Sequence, residues 1–108
     1  MLEERLRADL SAAMRERDRA RVTVLRTALA AIANAEAPAV ETHSLPSVAA
    51  AGSTEVARLE LTDDDRRRIL RAQIADRHDT VDQYEHNGRD AEPAVLRSEI
   101  RILTSYLE

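Results

Sequence analysis

The sequence predicts an all-α fold of four main helices, with helices 3 and 4 forming an antiparallel hairpin and a long loop between helices 2 and 3. Three observations predict it. Apolar residues recur at helical spacing through most of the chain. Aromatic residues make up 2% of a chain that is 44% hydrophobic, so the core is built from Leu, Ile, Val and Ala, which suit closely packed helices. The third observation is a complete helix-start signal in the middle of the sequence, LTDDDRRRIL.

The elements follow in order. Leu2, Leu6, Leu10, Ala13 and Met14 form the apolar side of a first amphipathic helix, with Arg, Glu and Asp between them. Asp18 is placed to cap a second helix. There Val22, Leu25, Leu29 and Ile32 make one stripe, Ala28, Ala31 and Ala35 permit close approach, and Pro38 ends the run. Residues 38–60 mix Pro38, Pro46, Gly52, Ser and Thr without a sustained period and read as a long loop or partly disordered insert. RLEL at 58–61 alternates too briefly to support a sheet.

Thr62 is the expected N-cap of the third helix, Asp65 its capping-box partner, and the acidic run suits the positive first turn. This helix should reach about Asn87, where Gly88 supplies a left-handed cap. A fourth helix then carries Leu96, Ile100, Leu103 and Leu107. The short connection implies the antiparallel hairpin.

One arginine sits oddly in this pattern. Leu70, Ile74, Arg77, Val81 and Tyr84 step along one seam of the third helix, and four of the five suit burial. Glu99 likewise interrupts an apolar stripe of Val95, Ile102 and Tyr106 on the fourth. Arg77 and Glu99 are equidistant from Gly88 in sequence, so a turn centred there brings them level. The spacing predicts a partly buried ion pair that fixes helix register.

At 108 residues the chain reads as a single helical domain that buries roughly 60 to 65% of the surface its unfolded form exposes. No cysteine is present, which removes disulfides, thiolate metal sites and cysteine nucleophiles. All 16 basic side chains are arginine, so no lysine mechanism operates. With only Gly52 and Gly88, there is no Gly-rich phosphate loop. The charged N-terminus MLEERLRADL and the lack of a long apolar run argue against a secretory signal or a membrane span, and the expected location is cytoplasmic. A net charge of −4 argues against a general nucleic-acid binder and leaves local basic patches. The sharpest is RERDRAR at 15–21, in which Arg15, Arg19 and Arg26 are spaced to share a face suited to an RNA backbone or an acidic protein surface.

His78, Asp82 and His86, four apart on the third helix, have metal-like spacing. With no fourth ligand indicated and His43 off in the loop, neither a metal nor a cofactor is expected. Asp63 and Asp64 are better explained by helix capping than by acid catalysis.

Four stretches, RVTVLRTALAAIANAE (21–36), LTDDD (61–65), YEHNGR (84–89) and the E-x-x-x-L-x-x-Y-L pattern of EIRILTSYL (99–107), resemble the GatB/YqeY-domain proteins. The resemblance implies an all-helical fold related to the tail of the B subunit of the glutamine-dependent Asp/Glu-tRNA amidotransferase. It also implies family-level carbon–nitrogen ligase activity with glutamine as amido donor. Longer members continue into a tRNA-contacting tail domain, and a chain stopping at Glu108 is expected to be a short form without it. The polar family positions carried over are Arg26, Asn34, Glu36, Arg77, Gly88, Arg89 and Glu99. Arg26 is expected to pair with an acid on a neighbouring helix, while Asn34 and Glu36 cap and solvate the end of their own. The glutaminase chemistry of an amidotransferase needs a lysine or a cysteine that this sequence lacks.

The resulting expectation is an accessory to tRNA-dependent amidation that acts by binding tRNA or a translation factor and has no active site of its own. Its RNA- or partner-binding residues would be Arg15, Arg19, Arg26, Asn34, Glu36 and Arg89, and its partners tRNA or amidotransferase subunits. The alternative is a protein–protein interaction module with no RNA role.

Overall fold

The computed structural model describes residues 1–37, 59–88 and 93–108. They form four helices: α1 (Leu2–Glu16), α2 (Arg19–Glu36), α3 (Asp63–His86) and α4 (Pro93–Thr104). No strand occurs among the described residues. Most of the long connection before α3, and Arg89 after it, lie outside them.

The helix ends follow from local chemistry. Arg17 closes α1 in the left-handed region at φ 58°. Its N–H donates to Met14 O at 3.2 Å and that of Asp18 to Ala13 O at 2.9 Å, satisfying carbonyls that the helix leaves open. Asp18 then caps α2, its Oδ1 accepting from the Arg21 N–H at 3.2 Å. Ala37, the residue before Pro38, turns extended at φ −71°, ψ 136°, as the proline ring demands, and α2 stops. At α3 the capping box is closed both ways: Thr62 Oγ1 accepts from the Asp65 N–H at 3.1 Å and Asp65 Oδ2 from the Thr62 N–H at 3.0 Å. Gly88, at φ 73°, takes the left-handed position after α3 that a side chain would strain.

α1 packs on α2 and α3 on α4, while α2 touches each of the other three. Arg77 meets Glu99 and, further along α3, Glu85 meets Arg97, earlier in α4. The two helices therefore run antiparallel. The core gathers Leu2 and Leu6 of α1, Val24, Leu25, Ala28 and Ile32 of α2, Leu70 of α3 and Leu103 of α4, closed by Tyr106.

Four details depart from the sequence expectation. Met14 is half exposed, because the last turn of α1 projects into the corner leading to α2. Val24 is buried in full, whereas Val22 and Leu29 are only partly covered. Val95, assigned to an apolar stripe, is 62% exposed near the start of α4. α4 ends at Thr104, so Leu107 packs from a following turn, in which the Tyr106 and Leu107 N–H groups donate to Leu103 O and Thr104 O.

That turn carries Tyr106 back onto α1. Its ring is 2% exposed. Its hydroxyl donates to Asp9 Oδ2, and the Arg5 guanidinium lies 5.0 Å from the ring centroid. Burial, then the Asp9 carboxylate that accepts its hydrogen bond, push the Tyr106 phenol up to about 12. A raised folded pKa gives stability that is full below the unfolded value of 10.0 and is lost as pH rises toward 12. Melting curves should therefore hold to about pH 10 and then fall. Tyr106→Phe should flatten that alkaline decline relative to wild type while costing about 1 kcal/mol at neutral pH. An unchanged decline in the Phe variant would contradict this coupling.

Candidate functional site

The corner between α1 and α2 forms a site because the left-handed turn at Arg17 folds the end of one helix beside the first turns of the next. An open cleft of about 610 Å³ lies there, lined by Met14 and Arg17 from the α1 end and Arg19, Val22, Thr23 and Arg26 from α2. Positions 19, 22, 23 and 26 fall on one face of α2 by helical spacing.

The charge in the cleft is uncompensated. None of Arg17, Arg19 and Arg26 makes an ion pair among the described residues, although Arg66, Arg67, Arg68 and Arg77 on α3 all do. The nearest acid in sequence, Asp18, is committed to the Arg21 amide. Unpaired guanidiniums converging on a concave surface make a receptor for an anion with acceptor oxygens, which Arg binds through its planar fork. Met14 and Val22 add an apolar wall.

The structure redistributes the residues singled out from sequence. Arg19 and Arg26 line the cleft together, while Arg15, exposed on the last turn of α1, does not. Among the described residues Arg26 has no acid partner, contrary to the pairing expected of it, because it lines the corner cleft and not a helix interface. Asn34 is exposed at the far end of α2. Glu36 is not a solvated end residue: its side chain is 14% exposed and lies 3.8 Å from Arg66 Nη2. Arg89 falls outside the described residues.

Two residues that matter here were not singled out from the sequence. Arg17 joins the cleft only because the backbone there is left-handed. Arg66 looks like one of three equivalent arginines in DDDRRR, yet Arg67 and Arg68 pair locally with Asp64 and Asp65. Arg66 alone reaches out, to Glu3 of α1 at 3.4 Å and Glu36 of α2, as well as to Asp63 at 3.0 Å. Its Nε is buried without a hydrogen bond, so the Glu3 contact is ionic. The hydrogen bond from Arg7 holds the Glu3 carboxyl below its ordinary value, with the charges of Arg7 and Arg66 assisting against burial.

Arg77 and Glu99 occupy the seam between α3 and α4. Arg77 Nε donates to Glu99 Oε1 at 2.9 Å, and its Nη1 to the Gln73 carbonyl at 3.2 Å. The side chains are 16% and 15% exposed. Asp82 and His86 border a shallow depression with Gln83 and Asn87, from which His78 is absent. Among the described residues no three His, Asp or Glu side chains converge as a metal site would require, and no helix is long and apolar enough to cross a membrane.

A family model described as Yqey-like protein matches residues 3–108. No curated protein and no solved structure matches the chain.

Proposed function

Because the chain belongs to the Yqey-like protein family, we propose that it is an accessory to tRNA-dependent amidation that works by binding tRNA and not by a reaction of its own. The observation that carries this reading is the unpaired trio Arg17, Arg19 and Arg26 around the α1–α2 cleft. A phosphate chain supplies the acceptor oxygens these guanidiniums lack, and each contact releases a condensed counterion. The ligase activity associated with the family would then belong to a complex in which this chain takes part, since a sequence without lysine or cysteine has no glutaminase nucleophile or base of either usual kind.

Fluorescence anisotropy with labelled bulk tRNA tests the reading. Replacing Arg17, Arg19 and Arg26 together by Ala should weaken binding at least tenfold at about 50 mM salt while circular dichroism stays unchanged, because all three are exposed. Equal binding by the variant would remove the cleft from consideration. A second reading, docking of an acidic protein, draws on the half-exposed Met14 in the same cleft, since flexible thioethers adapt to partner surfaces. It predicts a stable complex in pull-downs that survives nuclease treatment.

A further inference from the structure

We infer that the α1–α2 cleft takes a short unpaired stretch of RNA, with phosphates on the arginines and a base against the apolar wall, and not the phosphate ridge of a duplex. The inference rests on the RNA-binding reading above and names the form of nucleic acid that the same site takes.

Shape comes first. A duplex backbone is a convex ridge, best met by cations spread along a protrusion or a long groove. Here Arg17, Arg19 and Arg26 line an open cleft of about 610 Å³, of the size of clefts that take small ligands, roughly 300 to 1,000 Å³. A single nucleotide unit is on the scale of such a cleft.

The lining points the same way. Beside Arg17, Arg19 and Arg26 the cleft is lined by Met14, Val22 and Thr23. On a duplex these groups would face only phosphate and water. An unstacked base offers them an apolar face, and guanidinium planes stack on bases as well as binding phosphates. Neither tyrosine lines the cleft, and Tyr106 is held on Asp9. The base is therefore held by Arg and Met without an aromatic platform.

Charge limits the footprint. The chain as a whole carries −4, so a polyanion extending beyond the arginines meets a net acidic protein. Three phosphate contacts on a single strand give a slope of about −2 in log affinity against log salt, at roughly −0.7 per contact.

The test compares a labelled single-stranded hexaribonucleotide with the same strand in duplex, using the whole chain between about 50 and 200 mM salt. The expected result is at least tenfold tighter binding of the single strand, with a slope near −2. Arg26→Ala should make that slope shallower by about 0.7. Met14→Ala should weaken the single strand several-fold and leave the slope unchanged, separating a base contact from a charge effect. A duplex bound as tightly as the single strand, a slope beyond about −4, or indifference to Met14→Ala would overturn the inference while leaving the RNA reading intact. If hexamer, duplex and bulk tRNA all fail to bind, the RNA reading itself falls. An acidic peptide that displaces no RNA yet binds through the same arginines would assign the cleft to protein.

Discussion

Leu103→Ala should destabilise the fold by about 3 kcal/mol, the largest single effect expected in this chain. Leu103 is fully buried where α4 meets the cluster built from α1, α2 and α3. The one ring in this cluster, Tyr106, is held by its hydrogen bond to Asp9, and the neighbouring aliphatic side chains are fixed on four different elements. For a domain of this size, with total stability on the order of 5 to 15 kcal/mol, that loss lowers the melting temperature by roughly 10 to 20 °C. Chemical denaturation should show the midpoint shifted with the slope unchanged. Val95→Ala, on the same helix but exposed, should stay within about 0.5 kcal/mol of wild type. A Leu103 effect below about 1 kcal/mol would mean that the core is not packed around α4 as described.

The second large effect is a coupling. Arg77→Ala leaves Glu99 with a carboxylate facing a mostly dry helix seam, and Glu99→Ala leaves the guanidinium with only the Gln73 carbonyl. Each change should cost about 2 kcal/mol, below the range for fully buried pairs because both side chains keep some exposure. The double variant should cost clearly less than the two single effects added together, with an interaction energy of about 1 kcal/mol or more. Additive effects below 1 kcal/mol would show that the pair contributes nothing to register and would make Arg77 available for a binding role.

How much of this was legible in the sequence depends on the range of each interaction. The helices, their caps at Asp18 and Thr62, and the left-handed Gly88 are local features, and the residues that make them lie within a few positions of one another. The meeting of Arg77 and Glu99 is long-range in sequence, yet it can be counted outward from one tight turn. Arg66 offers no such count. Its partners Glu3 and Glu36 sit on helices whose placement depends on the whole bundle, and in sequence it is indistinguishable from Arg67 and Arg68. The cleft was half legible. Helical spacing put Arg19 and Arg26 on one face, but only the direction of the chain at the α1–α2 corner decides that Arg17, and not Arg15, completes it. Met14 has the spacing of the apolar side of α1, but at the corner it lines the open cleft and stays half exposed.

The central claim is that the α1–α2 cleft binds RNA through arginines that form no ion pair with any described residue. Anisotropy of labelled bulk tRNA across a salt series, with the wild-type chain beside the Arg17, Arg19 and Arg26 triple alanine variant, tests it most directly. The account predicts micromolar or tighter binding at low salt that weakens as salt rises and is lost in the variant. Absence of binding at low salt, or binding that ignores both salt and the three arginines, would contradict it.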